Sequence, residues 1–334
     1  MTTHARYPLT LSGHLFRRQA MKGSTTGRFS RLFARMDLAA RIIAREVNRA
    51  ALGGVLGAAG ATNVQGEDVQ KLDEIGNQVF LDALGNTGLV AAVASEEMED
   101  PYVFADAPEG PYVMCFDPVD GSSNIDVDVT IGSIFSLLRT RPGVAPDDPA
   151  QFLRPGTDII AAGYVVYGPS TMFVYADDIS VDAFTLERSI GAFFLTHPDI
   201  RIPSGSKVYS VNEANSPRWT PPLQALVAGL RAGEGPEAPS TARYVGSLVA
   251  DVHRTLLKGG LYLYPGEVKK PHGKLRLLYE AAPLAYVIER AGGRATDGTT
   301  RILDKVPQRL HERTPLFIVS PDQVGAVERE LMGS

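Results

Sequence analysis

The chain has 334 residues, of which 44% are hydrophobic and 21% are charged, and its formal net charge is -5. That length is enough for one large or two medium domains, and the slight acidic excess gives no general attraction to nucleic acid or to anionic membrane surfaces. The only cysteine is Cys115, which excludes an internal disulfide. No apolar run approaches the roughly 20 residues of a membrane span. We therefore expect a cytoplasmic globular protein without nucleic-acid or membrane partners.

The start of the chain is predicted to be a weakly ordered tail over residues 1–23, followed by a helix. No acidic residue precedes Asp37, and the basic residues there are Arg6, Arg17, Arg18, Lys22, Arg28, Arg31 and Arg35. An acid-poor, arginine-rich beginning is also typical of organelle transit peptides. We favour a tail and a basic helix, because apolar residues recur at helical spacing from Leu32 to Val47.

A glycine-rich stretch follows this helix. Residues 51–66 read A-L-G-G-V-L-G-A-A-G-A-T-N-V-Q-G. Because glycine permits many backbone conformations, this density of glycines disfavours a single rigid element. The stretch is predicted to be a mobile loop, and both a lid over a site and an ordinary surface loop fit it.

Further along the chain, hydrophobic periodicity predicts a mixed α/β protein with an antiparallel first half. Helices are predicted over residues 69–84, 221–231, 248–258, 275–291 and 322–331. Strands are predicted over residues 89–94, 112–116, 131–139, 159–167, 171–175, 192–196, 208–210, 261–264 and 316–320, with a short one near Phe184. The pattern changes to alternating strands and helices near residue 200, so we place a domain boundary there.

The most informative stretch is C-F-D-P-V-D-G-S-S-N-I-D at residues 115–126. Asp117 and Asp120 come at the end of an apolar strand, and carboxylates in such a position suit divalent cations. The turn that follows contains Gly121, Ser122 and Ser123, whose hydroxyl and backbone N–H groups suit a phosphate. A cation site beside a phosphate site predicts phosphoryl chemistry.

A second pair of acids, Glu96 and Glu97, ends the preceding predicted strand. If the two strands are neighbours, these acids lie beside Asp117 and Asp120, and their mutual repulsion raises the pKa of each carboxyl group. Bound Mg²⁺ would neutralise such a cluster and could clamp a phosphate. Taken alone, a pair of acids at a strand end also fits a solvated terminus.

A basic cluster lies in the second half, just before the predicted helix that carries Glu280. It consists of Lys269, Lys270, Lys274 and Arg276. A run of charges is often only a solvated face, but a phosphorylated substrate of an acidic protein requires a local cluster of this kind.

Three segments together resemble class I fructose-1,6-bisphosphatase, within the inositol-monophosphatase-like phosphatase superfamily. They are D-P-V-D-G-S-S-N-I-D at 117–126, R-Y-V-G-S at 243–247 and G-K-L-R-L-L-Y-E at 273–280. The resemblance extends from about Thr25 to the end of the chain. It implies a layered α/β/α/β/α sandwich with a metal-binding and AMP-binding domain at 24–200 and a sugar-phosphate-binding domain at 201–334, after the tail at 1–23.

The resemblance implies hydrolysis of the 1-phosphate of D-fructose 1,6-bisphosphate to fructose 6-phosphate and phosphate, in gluconeogenesis or the Calvin cycle. It implies about two to three Mg²⁺ ions per subunit, for which Mn²⁺ is expected to substitute. The implied metal ligands are Glu96, Glu97, Asp117, Asp120 and Glu280, with the backbone carbonyl of Val119. Asp73 and Glu97 match the acids that activate the attacking water, and Glu67 stands where the family usually has Asp.

The resemblance also implies the substrate contacts and the assembly. The substrate-binding residues are Asp120, Gly121, Ser122, Ser123, Asn212, Arg243, Tyr244, Tyr264, Lys274 and Arg276. Ser122 and Ser123 match donors to the 1-phosphate, whereas Asn212, Arg243, Tyr244, Tyr264 and Lys274 match groups that hold the 6-phosphate and sugar. The equivalent of Arg243 reaches a neighbouring subunit's site in the family, which implies a homodimer or homotetramer.

An AMP inhibitor site is implied at Thr26, Gly27, Ser30, Tyr112 and Arg139. Here Arg28 replaces an acid and Pro111 replaces a lysine of the family pattern. We expect AMP inhibition to be weakened or altered.

Two other functions compete with fructose-1,6-bisphosphate hydrolysis. A sedoheptulose-1,7-bisphosphatase, or an enzyme that accepts both sugars, fits the same residues, because one extra carbon changes binding only modestly in an open site. A catalytically silent regulator that binds metal and nucleotide is disfavoured, since all the expected carboxylates are present.

Overall fold

The computed structural model describes residues 9–21, 27–50, 58–62, 68–233, 241–325 and 327. The helices in these parts of the chain are α1 (Leu11–Met21), α2 (Arg28–Asn48), α3 (Lys71–Leu84), α4 (Pro221–Ala232), α5 (Leu248–Lys258) and α6 (Ala282–Arg290). The strands up to residue 200 are β1 (Ala58–Thr62), β2 (Asp68–Gln70), β3 (Val90–Ser95), β4 (Tyr102–Val103), β5 (Tyr112–Asp120), β6 (Ile131–Arg139), β7 (Ile159–Tyr167), β8 (Thr171–Ala176), β9 (Val181–Glu187) and β10 (Ala192–His197). The later strands are β11 (Val208–Ser210), β12 (Thr241–Ala242), β13 (Leu261–Tyr264), β14 (Leu275–Arg276), β15 (Arg294–Thr296), β16 (Arg313–Thr314) and β17 (Leu316–Val319).

The largest sheet has eight strands in the order β10-β9-β8-β7-β6-β5-β3-β4. Its neighbouring strands are antiparallel except for β3 and β5, which run parallel. The prediction of an antiparallel first half is therefore confirmed for this sheet. Every residue of β3 and of β5 is buried, which explains why both strands have nearly continuous apolar sequences.

The elements are stacked in layers. Helices α1, α2 and α3 cover one face of the large sheet, where Phe33, Phe116 and Phe135 belong to one buried cluster. Helices α5 and α6 cover the other face and separate it from a five-stranded sheet of order β12-β11-β13-β17-β15. Helix α4 packs on the far side of that second sheet, with Trp219 and Leu223 in the shared core. This arrangement confirms the predicted α/β/α/β/α sandwich.

Helix α1 corrects the prediction that residues 1–23 are weakly ordered, since residues 11–21 form a docked helix. Leu11 and Leu15 are buried against the sheet layer. Arg18 pairs with Asp177 at 2.9 Å and with Asp182 at 2.7 Å. Arg18 makes these contacts with residues far away in the sequence, so the local pattern of apolar residues could not predict them.

Two further expectations need correction. Residues 58–62 of the predicted glycine-rich loop form β1, which pairs with β2; residues 51–57 and 63–66 lie outside the described part of the chain. The helix predicted over 275–291 begins instead as β14, which pairs with β16, followed by a π-helical turn over Leu277–Ala281 before α6. Among the described residues, none of the helices has the length and apolar character needed to cross a bilayer.

Candidate active site

The parallel pairing of β3 and β5 brings the two acidic strand ends together. Ser95 is the register partner of Phe116, and the Glu96 N–H donates to the Phe116 carbonyl at 3.1 Å. The backbone of Glu96 therefore lies next to that of Asp117. From the sequence, the crowding of the four acids depended on the two strands being neighbours, and the structure shows that they are.

Three carboxylates converge at this point. Asp117, Asp120 and Glu280 each place an oxygen within 4.8 Å of the oxygens of the other two. All three residues are buried, and Glu280 is supplied by the π-helical turn that precedes α6. That irregular turn, rather than a regular helix, carries Glu280 into the carboxylate cluster.

The protonation of the cluster reflects burial and crowding. Burial raises the pKa of Asp117 well above its usual range, and the charges of Glu96, Asp120 and Glu280 add to this. Burial likewise raises the pKa of Asp120 to about 7 and raises that of Glu280. Buried carboxylate oxygens that repel one another form a suitable ligand set for a hard divalent cation. The residues present therefore fit the divalent metal implied by the sequence.

Arg276 provides a positive charge inside the cluster. Its guanidinium lies 2.7 Å from Glu96 Oε1, and its backbone N–H donates to Glu280. The charge of Arg276 lowers the pKa of both Asp120 and Glu280, against the larger effect of burial. One guanidinium offsets only part of the negative charge from the carboxylates around it.

The turn after β5 forms the next wall of the site. Gly121 has a φ of 79°, a left-handed conformation that favours glycine, and it begins a 3-10 helix over Ser122–Val127. The Ser122 hydroxyl donates to Asp73 Oδ2 at 3.1 Å. Asp73 lies on the first turn of α3 and is buried, so α3 and the turn after β5 meet at the acidic end of the site.

A cavity of about 510 Å³ extends from the acidic cluster to a second group of polar side chains. The predicted residues that line it are Asp73, Glu96, Glu97, Asp117, Val119, Asp120, Gly121, Ser122, Ser123, Tyr244, Tyr264, Lys274, Arg276 and Glu280. Tyr262 and Asn124 also line it and were not among the predicted site residues. Acidic, cationic and phenolic groups thus line one cavity, and the cation Arg276 lies beside the acidic residue Glu96.

Two predicted substrate residues lie outside this lining. Asn212 lies beside Tyr244, which does line the cavity: burial raises the pKa of Tyr244, and the Asn212 side chain lowers it. Arg243 is exposed, and its guanidinium donates to the Ala242 carbonyl at 2.9 Å. The structure therefore places Arg243 away from the cavity of its own chain.

The predicted AMP residues are only partly brought together. Tyr112 and Arg139 are register partners in β5 and β6, and both line a separate cavity of about 570 Å³. Gly27, which precedes α2 with a φ of 64°, and Ser30 are not among the residues that line it. Arg18 and Arg290 line it without having been predicted, and Thr26 and Glu67 lie outside the described residues.

Comparison with known proteins identifies the family. The model of "Fructose-1-6-bisphosphatase, N-terminal domain" matches residues 9–198, and that of "Fructose-1-6-bisphosphatase, C-terminal domain" matches residues 202–332. The chain is 48% identical to "Fructose-1,6-bisphosphatase class 1" of Oleidesulfovibrio alaskensis, over 96% of this chain and 97% of that protein. It is 44% identical to "Fructose-1,6-bisphosphatase, cytosolic" of Solanum tuberosum, over 96% and 94% of the two chains.

A solved structure agrees with these sequence matches. The crystal structure of Leishmania major fructose-1,6-bisphosphatase in holo form superimposes with a TM-score of 0.91 at 38% identity, covering 98% of this chain and 100% of that one. Identity at this level over nearly the whole length of both chains, together with the carboxylate cluster and the turn beside it, leads to one conclusion. The chain belongs to the class 1 fructose-1,6-bisphosphatase family.

Proposed function

We propose that the chain hydrolyses the 1-phosphate of D-fructose 1,6-bisphosphate to give fructose 6-phosphate and phosphate. One observation carries the proposal: a single cavity joins the buried acidic cluster to a group of tyrosines and a lysine. A substrate with two phosphates needs two such ends, one built for cleavage and one for binding. The relatives named fructose-1,6-bisphosphatase support this substrate.

The acidic end is the proposed metal site. The residues that would hold the cations are Glu96, Glu97, Asp117, Asp120, Glu280 and the Val119 carbonyl, all of which line the cavity. We propose Mg²⁺, with about two to three ions per subunit and with Mn²⁺ as a substitute, because every donor is a hard oxygen. When bound, such ions neutralise charge on the phosphoryl group and lower the pKa of a bound water.

The surrounding residues then orient the phosphate and accept a proton. The backbone N–H groups and hydroxyls of Ser122 and Ser123 are proposed to bind the 1-phosphate, as turns with open N–H groups do. Asp73 accepts a hydrogen bond from the Ser122 hydroxyl at 3.1 Å, which fixes both groups beside that phosphate. Asp73 and Glu97 are proposed as the carboxylates that take the proton of the attacking water.

The other end of the cavity is proposed to bind the 6-phosphate and the sugar. Tyr244, Tyr264 and Lys274 offer phenol and ammonium donors there, with Asn212 orienting Tyr244. Arg243 is exposed on its own chain, which supports the proposal that it completes the site of a neighbouring subunit in a homodimer or homotetramer. Arg276 is proposed to assist at the acidic end, next to Glu96.

The finer context of the reaction is also a proposal. We divide the chain into a metal-binding and AMP-binding domain at 24–200 and a sugar-phosphate domain at 201–334. The two family models, which match residues 9–198 and 202–332, support a boundary near residue 200. A cytosolic location is supported by the name of the Solanum tuberosum relative, "Fructose-1,6-bisphosphatase, cytosolic". A place in gluconeogenesis or the Calvin cycle follows from the proposed substrate.

A panel of phosphate esters tests the proposed function. Purified protein with Mg²⁺ is given fructose 1,6-bisphosphate, sedoheptulose 1,7-bisphosphate or inositol 1-phosphate, and phosphate release is followed. We expect the highest kcat/KM for fructose 1,6-bisphosphate and little release from inositol 1-phosphate. A higher kcat/KM for sedoheptulose 1,7-bisphosphate would favour the alternative bisphosphatase, and no release from either bisphosphate with Mg²⁺ or Mn²⁺ would refute the proposal.

A further inference from the structure

A buried carboxylate outside the acidic cluster organises the loop at the far end of the cavity. Asp251 lies in the first turn of α5 and has an exposed fraction of 0%. Its carboxylate accepts the backbone N–H of Val245 at 3.1 Å and that of Gly246 at 3.0 Å. These two residues directly follow Tyr244, which lines the cavity.

The same carboxylate also holds the strand that leads to Asn212. The Ser210 hydroxyl donates to Asp251 Oδ1 at 2.7 Å, and Ser210 is the last residue of β11. One buried anion therefore joins the end of β11 to the loop at residues 243–247. Asn212 and Tyr244 face each other across these two segments: burial raises the pKa of Tyr244, and the Asn212 side chain lowers it.

The loop needs such an anchor because its own conformation is irregular. Gly246 has a φ of 85°, a left-handed conformation. Its carbonyl accepts from Asn124 Nδ2 at 3.2 Å, so the loop also touches the turn that contains Ser122 and Ser123. Two neighbouring backbone N–H groups pointing at one carboxylate fix both the direction and the register of the loop.

We infer that Asp251 is a positioning residue for the sugar-phosphate end of the cavity, setting the affinity for the phosphate remote from the acidic cluster. The inference rests on the proposed two-phosphate substrate. Asp251 does not line the cavity, so its effect is transmitted through Tyr244 and Asn212. Its loss should weaken binding at that end far more than at the acidic end, where the charge of Asp251 makes only a small contribution to the raised pKa of Asp120.

Asp251→Asn tests this inference, because an amide keeps the size of the side chain and loses an acceptor for one of the N–H groups. Fructose 6-phosphate is titrated calorimetrically, Mn²⁺ binding is measured by electron paramagnetic resonance, and kcat and KM are measured with fructose 1,6-bisphosphate. We expect the Kd of fructose 6-phosphate and the KM to rise about tenfold, the size expected for a lost charge-assisted hydrogen bond. The kcat and the Kd of Mn²⁺ should change clearly less than the Kd of fructose 6-phosphate and the KM.

Ser210→Ala is a milder second variant that keeps the carboxylate and both backbone donors. It should shift the same two constants in the same direction by about threefold, the loss of one hydrogen bond. Asp182→Asn is the matched control, because Asp182 is also buried and accepts from a serine hydroxyl and a backbone N–H far from this cavity. It should lower the melting temperature without changing either constant.

The outcomes separate this inference from the proposed function. If the parent protein neither binds fructose 6-phosphate nor hydrolyses fructose 1,6-bisphosphate, the proposed function fails. If the parent does both, but Asp251→Asn and Ser210→Ala keep the parent's Kd and KM, the positioning role is wrong. A fall in kcat with an unchanged KM, or a matching loss of Mn²⁺ affinity, would also contradict it. Should Asp251→Asn fail to fold, the constants measured for Ser210→Ala decide between these results.

Discussion

The backbone N–H of Val249 donates to Asp120 Oδ2 at 2.9 Å, which ties the first turn of α5 to the acidic cluster. Asp120 lies on β5 in the first half of the chain, and Val249 lies on α5 in the second half. A helix N-terminus favours a negative charge, so this bond partly stabilises a carboxylate that is otherwise crowded by others. The acidic cluster is thus built jointly by both halves of the chain, with Glu280 as its other contribution from the second half.

The first prediction concerns Asp120→Asn, which removes one carboxylate from the cluster. Turnover with Mg²⁺ should fall by at least about a thousandfold, because a neutral amide is a poor ligand for Mg²⁺. Without metal, the same variant should be about 2 kcal/mol more stable than the parent at pH 8, because the parent then holds an unfavourable charge. Urea unfolding in the presence of a chelator measures this difference.

The direction in which pH changes this stability difference follows from the pKa of Asp120. The pKa of Asp120 in the folded protein is raised to about 7. The parent is therefore most stable below about pH 4, where Asp120 is protonated in the folded and unfolded states alike, and its unfolding free energy falls as pH rises through 7. The gain from Asp120→Asn should therefore be present at pH 8 and absent at pH 4. The exposed Asp106→Asn is the control and should show no gain at either pH. Near-normal turnover of Asp120→Asn would contradict its assignment as a ligand.

The second prediction concerns Arg243, which is exposed and lies outside its own cavity. Arg243→Ala should raise the KM for fructose 1,6-bisphosphate about tenfold, since a guanidinium that pairs with a phosphate is lost. If Arg243 acts in a neighbouring subunit, co-expression with Asp120→Asn should restore sites of low KM. In such hybrids, an Asp120→Asn subunit supplies Arg243 to a partner whose acidic cluster is intact.

The control for the hybrid experiment is co-expression of Arg243→Ala with an Asp120→Asn chain that also carries Arg243→Ala. No site in that mixture receives an arginine, so low-KM activity should not return. Recovery in both mixtures, or in neither, would contradict the action of Arg243 across a subunit boundary.

The third prediction concerns His253, whose Nδ1 lies 3.0 Å from the hydroxyl oxygen of Tyr164. Burial lowers the pKa of His253 to about 4, with a smaller contribution from His197. As pH falls, His253 is therefore protonated in the unfolded chain before it is protonated in the folded protein. Its contribution to stability is fully present above about pH 6.5 and is lost as pH falls toward 4. Between pH 8 and pH 5 this residue should account for about 2 kcal/mol of lost stability.

His253→Gln removes the titration and keeps a polar group near Tyr164. Its loss of unfolding free energy between pH 8 and pH 5 should be about 2 kcal/mol smaller than that of the parent. His272→Gln, at an exposed loop position, should leave the parent's pH dependence unchanged. Equal losses in the parent and in His253→Gln would show that His253 does not stay neutral in the folded protein at pH 5.

The fourth prediction concerns AMP and the cavity lined by Tyr112 and Arg139. Arg18 also lines this cavity, but its guanidinium is engaged by Asp177 and Asp182. With Pro111 offering no positive charge, half-inhibition should require roughly millimolar AMP. Titration of AMP against the parent and Arg139→Ala tests this, and Arg139→Ala should remove the inhibition that remains. Half-inhibition at micromolar AMP would contradict the prediction, and the exposed Arg188→Ala serves as the control.

The two acidic strand ends could be recognised in the sequence, because each apolar run is followed by a pair of acids. Whether β3 and β5 are neighbours could not be read from the sequence, since strand pairing is set by the whole sheet. Arg276 was predicted only as a substrate contact. Its 2.7 Å pairing with Glu96 could not be predicted, because it joins segments far apart in the chain. Asp251 was missed for a similar reason. A single aspartate at the start of a helix resembles an ordinary favourable charge at a helix N-terminus until its partners Val245, Gly246 and Ser210 are seen.

Two local errors have physical causes as well. Apolar periodicity over residues 275–291 indicated one helix, but Leu275 and Arg276 pair with β16, and the following π turn brings Glu280 to the cluster. Periodicity does not distinguish a π turn from regular helix, because the irregularity is set by tertiary contacts. Helix α1 was missed because it has little amphipathic signal of its own and is held by buried ion pairs from Arg18.

The position of bond cleavage tests the central claim most directly, since the claim is that hydrolysis occurs at the acidic end and binding at the other. Fructose 1,6-bisphosphate is incubated with the protein and Mg²⁺, and the sugar product is identified by phosphorus nuclear magnetic resonance. Fructose 6-phosphate and free phosphate should form together, and neither should form with Asp120→Asn. Formation of fructose 1-phosphate, or equal turnover by the Asp120→Asn protein, would contradict a cavity with its metal and cleavage chemistry at Asp117, Asp120 and Glu280.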